Sequence, residues 1–436
     1  MNQLVRQPPV IDPPAPGRRR RGARSGTFGV IDIGSTKVVC LIARVEGDGD
    51  PRVLGFGWQR ARGVKAGNIV DLEEAEKAIR AAVGQAEEMA DTQLKGVIAN
   101  LSCGQPESRL FTIQWPIGGR AVTEADLRAI INEGRRRGPG ADQAAEGRET
   151  VHAFPLGFTV DATPGAADPR GMICETLTAR LHMVDAASAS LRNLGAALMR
   201  CDLEVEELVS APFAAGLATL VEDEKQLGCT VIDMGGGTTS LAVFAEGNLV
   251  HTAQLPVGGW HVTNDLARLL STPVAHAERL KTLHGGVLSA PEDEKEWLPV
   301  PQVGEEEDQI ARVPRAMVVG IIRPRLEETF EMVRDRLESA GLEQEMGRRV
   351  VLTGGASQLV GVRELAARVL ERQVRLGRPH MVRGLPETAS GAGFAAPLGL
   401  LAWGAGEGRP LLDIAPGVER PGGLFRRFVN WLRDRA

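Results

Sequence analysis

The run Gly29-Val30-Ile31-Asp32-Ile33-Gly34-Ser35-Thr36-Lys37 decides the fold, because it returns in altered form as Val231-Ile232-Asp233-Met234-Gly235-Gly236-Gly237-Thr238-Thr239. Each copy reads as a short apolar strand ending in aspartate, a tight Gly-Ser/Thr turn and a second strand. The two aspartates are 201 residues apart. That period is too long for a solenoid repeat and suits a duplicated α/β domain in which each half supplies one hairpin. Glycines let backbone N–H groups reach phosphate oxygens, and hydroxyls add donors. The first set is Asp32, Gly34, Ser35 and Thr36, and the second is Asp233, Gly235, Gly236, Gly237, Thr238 and Thr239. A carboxylate at the end of a buried strand can orient the waters that Mg²⁺ keeps, so Asp32 and Asp233 are expected to reach a metal through water. Either hairpin alone is only a turn. The specificity comes from the ordered pair followed by a third element, a strand at Val350 to Thr353 that enters Gly354-Gly355-Ala356. There an adenosine could lie flat on the backbone, before a helix expected from Ser357. Lys37 has two readings, a phosphate contact or a surface lysine.

Composition narrows the function classes. The chain has 436 residues, 43% hydrophobic and 25% charged, enough for several packed domains at about 100–200 residues each. Its net charge of −5 argues against a general nucleic-acid binder. With 4% aromatic residues and no tyrosine, base stacking is poorly supplied. Cys40, Cys103, Cys174, Cys201 and Cys229 form no CxxC pair and are odd in number. They read as buried thiols of a reducing compartment, not as disulfides or a zinc site. The histidines show no ligand spacing. No Walker A pattern occurs, and Gly391-Ala392-Gly393-Phe394-Ala395-Ala396 lacks the preceding strand that a Rossmann site requires. No apolar run approaches the roughly 20 residues of a membrane span. The N-terminus carries no secretory h-region. The expected location is the cytosol or the cytosolic face of a membrane.

Residues 1–26 read as a disordered Pro/Arg-rich tail, its Arg18, Arg19, Arg20, Arg21 and Arg24 either solvated or in weak contact with anionic lipid. Helical spacing fills 72–90, and Val97 to Leu101 reads as a strand. Residues 106–184 read as a small α/β insertion. It has strands near 109–114, 151–160 and 173–184, a helix capped by Thr123, and loops at 138–147 and 162–171. Residues 259–340 read as helical around an acidic, Pro-rich loop at 290–308, and 404–423 as a flexible linker. At the end, Leu424, Phe425, Phe428, Val429 and Leu432, with Trp431 beside them, share one helical face opposite four arginines. That is the pattern of an interfacial helix on anionic lipid, too short to span. A helix docked on the protein's own core is the other reading. One such helix binds lipid marginally, so stable attachment needs many copies on a scaffold.

The three glycine motifs resemble phosphate 1, phosphate 2 and adenosine of the actin/Hsp70/sugar-kinase superfamily. Val209 to Gly216 resembles its first connecting helix and Pro386 to Trp403 its second. Ala277-Glu278-Arg279-Leu280-Lys281 resembles the segment whose Glu and Lys, here Glu278 and Lys281, touch ribose and adenine. Within the superfamily the chain is similar to the bacterial cell-division family FtsA, on Gly29 to Lys37, Leu203 to Val209, Ile232 to Thr239 and Val351 to Ala356. The resemblance covers roughly residues 27–403. It implies an actin-like fold of duplicated ribonuclease-H-like domains. Subdomain 1A would be 27–105 with 185–226, the inserted subdomain 1C 106–184, 2A 227–258 with 338–403, and 2B 259–337, ahead of the linker 404–423 and the amphipathic membrane-targeting helix 424–436.

The resemblance also implies ATP and Mg²⁺ as ligands and a homopolymer peripheral to the cytoplasmic face of the inner membrane at the division site. It implies docking of the C-terminal tail of the tubulin-like protein FtsZ on 2B, with Arg315, Arg323 and Arg325 as candidates unless they are a solvated helix face. Later divisome proteins would be recruited through 1C during septum formation. Lys37 joins the nucleotide-contact candidates on the same ground. One departure stands out. Hsp70-like relatives have a catalytic Glu before the Pro of the first connecting helix, and here that place is Ala211. No other general base is evident, so at most slow ATP hydrolysis is expected. The alternative is a PilM-like cytosolic ATP-binding adaptor of a membrane assembly complex, against which the terminal helix speaks. An Hsp70 would need a substrate domain beyond Trp403, a sugar kinase an Asp base, and an MreB-like filament would lack the insertion.

Overall fold

A computed structural model of the chain describes residues 26–47, 49–137, 147–304, 310–342 and 347–409. The expected N-terminal tail short of Gly26, most of the expected linker, and the helix with Leu424, Phe425, Phe428, Val429, Trp431 and Leu432 lie outside the described residues.

The first lobe opens with the hairpin of β1 (Gly26–Ile33) and β2 (Lys37–Val45), in register from Gly26↔Val45 to Ile33↔Val38. β3 (Arg52–Arg60) continues it antiparallel, and β4 (Val64–Lys65) and β5 (Asn68–Ile69) form a short ribbon. α1 (Leu72–Ala90) starts where the Asp71 carboxylate accepts the amides of Glu73 and Glu74, each at 3.1 Å, a side-chain N-cap. It buries Ala75, Ala78, Ile79, Ala82, Val83 and Ala86, the 3.6-residue stripe expected of it. β6 (Gly96–Leu101) lies parallel to β1.

The insertion follows as β7 (Glu107–Ala121), α2 (Glu124–Arg137), β8 (Arg148–Val160), β9 (Thr163–Ala166) and β10 (Ile173–Ala187), with sheet order β7-β10-β8-β9. Its own core includes Leu127, Ile130, Leu177 and Leu181. Thr123 caps α2 reciprocally with Asp126: Thr123 Oγ1 accepts the Asp126 amide at 3.3 Å, and the Asp126 carboxylate accepts the Thr123 amide at 2.9 Å. The Arg120 guanidinium on the same carboxylate holds it well below the usual range. The loop expected at 162–171 is corrected, because Thr163–Ala166 pairs with β8. α3 (Ser188–Arg200) and β11 (Glu204–Ser210) then complete a five-stranded sheet ordered β3-β2-β1-β6-β11.

α4 (Ala211–Thr219) and the short α5 (Glu222–Leu227) lead into the second lobe. There β12 (Cys229–Met234), β13 (Thr239–Ala245) and β14 (Asn248–Leu255) are followed by α6 (Gly259–Leu269), α7 (Val274–His284), β15 (Trp297–Pro301), β16 (Ile310–Pro314) and α8 (Arg315–Ser339). β17 (Arg349–Thr353), α9 (Val362–Leu370), β18 (Gln373–Leu376) and α10 (Ala395–Gly404) close it. The sheet order is β14-β13-β12-β17-β18, with β12 antiparallel to β13 and parallel to β17. The first sheet has the same order and the same mix of directions about β1, so the sequence repeat is a structural duplication. α4 and α10 pack between the sheets, with almost every residue buried, as expected of helices apolar all round.

Three further expectations are corrected. Within 290–308, β15 pairs with β16 beyond the segment and Pro291–Glu294 is a 3₁₀ turn. The helix expected from Ser357 begins at Val362, since Gly355–Gln358 is a 3₁₀ turn and Gly361 takes φ +81° at the helix start. The linker does not begin at 404. Ala405 is fully buried, and Arg409 pairs with Glu207 at 3.1 Å while lying over the Trp403 ring at 4.8 Å. All five cysteines are buried and free. No helix among the described residues is long and apolar enough to cross a membrane.

Candidate functional site

The two hairpin turns meet. β1 ends at Ile33, whose amide donates to the buried Asn100 Oδ1 at 2.8 Å, which fixes the base of the first turn. Gly34 N donates to Lys37 O at 3.0 Å, and in the second lobe Gly235 N donates to Thr238 O at 2.9 Å. The turns are therefore built alike. They approach so closely that a Cβ on Gly236 would stand 2.1 Å from Thr36 Cγ2, and one on Gly237 2.4 Å from Ser35 Oγ. Ser35 Oγ also accepts the Gly67 amide at 3.1 Å. Thr239 is the first residue of β13, and its buried hydroxyl finds no partner among the described residues.

The strands deliver their carboxylates to the floor of this junction. Burial pushes Asp32 up to about 6, with the nearby Lys37 ammonium pulling the other way. Burial, and then the Asp32 charge, push Asp233 up to about 7. Gly354 lies against Asp233. It takes φ +86°, and a Cβ there would be 2.3 Å from Asp233 Oδ1, so only glycine suits the position. Burial lowers the Lys37 pKa against the pull of Asp32 and Asp233. Its ammonium lies 3.9 Å from the centroid of the Phe394 ring. Of the two readings of Lys37, the structure excludes the plain surface lysine.

A third group gathers about the start of α6. Lys281 Nζ donates to Gly259 O at 3.1 Å and Thr263 Oγ1 at 2.8 Å, and pairs with Glu278 at 2.7 Å. A Cβ on Gly259 would lie 3.4 Å from Ala356 Cβ, 3.5 Å from Lys281 Nζ and 3.7 Å from Gly235 O. Thus Glu278, Lys281, Ala356 and the second turn share one neighbourhood. A Cβ on Gly355 would face open space, which leaves a flat approach beside it. Sequence reasoning missed Asn100, Gly259, Trp260, Thr263 and Phe394. Gly258-Gly259 at a strand-to-helix junction was the one signal that could have marked part of this set. Arg315, Arg323 and Arg325 are engaged within the chain, with Asp293, Glu327 and Asp265 respectively.

These residues fit a metal–nucleotide ligand. The two carboxylates, Asp32 buried and Asp233 half-buried, both have raised pKa values and gain from a cation, and glycine turns suit phosphate. Among the described residues no group of three or more His, Cys, Asp or Glu could hold a metal. Asp32 and Asp233 are the carboxylates that could face the waters Mg²⁺ keeps.

The raised carboxyl pKa values have a testable sign. Between about pH 4, the usual carboxyl range, and about 7, the folded chain holds protons that the unfolded chain has lost. Their contribution to stability therefore falls as pH rises through that window and stays low above it. Without nucleotide, Asp233→Asn should melt a few degrees above the unsubstituted chain at pH 8, with the gap closing by about pH 4. Thermal melts across pH measure this; a gap that widens towards acid would contradict it.

Comparison with known proteins agrees with this architecture. The family model described as "Cell division protein FtsA" matches residues 230–399, and that of the "SHS2 domain inserted in FTSA" matches 104–185. The chain is 44% identical over 431 residues to the cell division protein FtsA of Rhizobium meliloti (strain 1021), covering 94% of this chain and 95% of the relative. It is 30% identical over 419 residues to that of Escherichia coli (strain K12), covering 92% and 96%. Among solved structures it resembles a chain of the PilM-PilN type IV pilus biogenesis complex, with TM-score 0.61, 18% identity, and 87% and 98% coverage. It also resembles MreB5 of Spiroplasma citri bound to ADP, with TM-score 0.50, 14% identity, and 86% and 95% coverage. The fold is actin-like, with an SHS2 insertion.

Proposed function

The chain belongs to the FtsA family of cell division proteins, and from that premise we propose that it is an ATP-binding, self-assembling tether that holds the FtsZ filament to the cytoplasmic membrane. The observation that carries the nucleotide part is the meeting of the Ser35-Thr36 and Gly236-Gly237 turns beside the carboxylates of the buried Asp32 and the half-buried Asp233. ATP with Mg²⁺ binds there, its phosphates between the turns and its adenosine beside Gly354, Gly355 and Ala356, within reach of Glu278 and Lys281. Ala211 stands at the first position of α4 where a catalytic carboxylate would be needed. Hydrolysis is therefore slow, and a steady-state turnover near one per second would contradict this.

The FtsZ tail docks on 2B, residues 259–337. A partner carboxylate that uses Arg315, Arg323 or Arg325 must displace Asp293, Glu327 or Asp265. Subdomain 1C, residues 106–184, serves self-assembly and later divisome proteins. The segment with Leu424, Phe425, Phe428, Val429, Trp431 and Leu432 binds anionic lipid at the inner face of the membrane, each copy weakly and the polymer firmly.

Liposome co-sedimentation with Mg-ATP tests the tether. The full chain should pellet with anionic vesicles, more so with ATP, and a chain ending at Arg420 should stay in solution. Equal pelleting of both would remove the terminal helix as anchor and favour a cytosolic adaptor of the PilM kind.

A further inference from the structure

Lys37 and Phe394 meet at a place that the nucleotide reading leaves unexplained. Lys37 is the first residue of β2, immediately after the first turn. Its ammonium lies 3.9 Å from the centroid of the Phe394 ring, although Asp32 and Asp233 both attract it. Among the described residues it forms no ion pair with either carboxylate. A cation seated on a ring when carboxylates are near occupies a held position.

The surroundings show what holds it. Phe394 directly precedes α10 and packs on Phe56 of the first lobe, centroids 6.1 Å apart. The residue before it, Gly393, lies close to both Lys37 and Gly355: a Cβ there would be 2.9 Å from Lys37 Nζ and 3.7 Å from Gly355 Cα. Ala392 O accepts the Gly354 amide at 3.2 Å and Thr353 Oγ1 at 3.4 Å. One short segment, 392–394, thus touches the first-turn lysine, the third glycine motif and the start of a helix that runs between the lobes.

We infer that Phe394 is a positioning residue for Lys37: its ring holds the ammonium while no nucleotide is present, and Lys37 leaves the ring for a phosphate oxygen when nucleotide enters. This rests on the nucleotide reading above and adds a cost to binding, the loss of a cation–π contact. The segment that opens α10 is thereby relieved of the charge only in the nucleotide-bound chain.

The test is binding of a fluorescent ATP analogue with Mg²⁺ to four full-length chains. Phe394→Leu keeps an apolar side chain but removes the ring, and should bind roughly three- to tenfold tighter than the unsubstituted chain. Phe394→Tyr keeps the ring face and should bind as the unsubstituted chain does, which separates the ring's charge attraction from its packing. Lys37→Gln should bind at least about tenfold weaker. Adding Phe394→Leu to it should change nothing further. The same gain from Phe394→Leu with and without Lys37, or no gain with Lys37 present, overturns the inference and leaves nucleotide binding standing. No binding by the unsubstituted chain overturns both. Circular-dichroism melts of each variant check that the fold is kept.

Discussion

A Gly236→Val chain should fold and yet bind Mg-nucleotide at least about 100-fold more weakly than the unsubstituted chain, a loss of about 2.7 kcal/mol. The reason is distance. A Cβ at Gly236 would stand 2.1 Å from Thr36 Cγ2 and 3.3 Å from the Trp260 ring, and valine adds two more methyl groups. The Thr36 side chain must turn aside or the two turns must part, and either change disturbs the junction where hydrogen bonds to phosphate would be made. The sheets beneath are not touched, so far-UV circular dichroism should be unchanged. Titration with a fluorescent ATP analogue reads the affinity. Unsubstituted affinity would mean that the paired turns do not clamp the ligand.

Gly399→Ala should produce the largest loss of stability, about 3 kcal/mol or more, near the top of the range for overpacked interiors. Gly399 lies in α10 where it crosses α4 backbone to backbone. A methyl there would fall 1.7 Å from Ala214 O and 2.2 Å from Ala214 C. No rotamer change can clear a main-chain atom, so the two helices between the lobes must separate. A fall in melting temperature of roughly 6–12 °C is expected. Gly84→Ala in α1 is the control. A Cβ there meets nothing within 4 Å, so it should be neutral or stabilising by up to about 1 kcal/mol. If both substitutions behave alike, the helices do not touch as described.

Much of this architecture could be read from local pattern. The hairpins announced themselves because a buried strand, a Gly-Ser/Thr turn and a second strand are all encoded within ten residues. α1 was legible through its stripe and its acidic first turn. What escaped was whatever depends on partners far along the chain. β9 reads Thr-Pro-Gly-Ala, turn chemistry by every local rule, and is a strand only because β8 offers it an edge. β15 and β16 carry three prolines between them, which disguised a two-stranded ribbon as a loop. α9 starts five residues late because Leu359 is extended and Gly361 left-handed. At the site, the residue types were legible and their mutual distances were not. Nothing local says that Thr36 meets Gly236, or that the partner of Lys37 is an aromatic ring in the last quarter of the chain.

The fastening at residue 409 decides which half of the molecule is the fixed one. Trp403 Nε1 and the Arg409 guanidinium both hold Glu207, at 2.7 Å and 3.1 Å, on the outermost strand of the first sheet. The point from which the remaining chain departs is thus carried by the first lobe and the central helices. Like a boat moored from the bow, the protein on the proposed function would turn its far end without paying out rope: a tail bound to lipid would stay with the first lobe, and movement between the lobes would be expressed in the second.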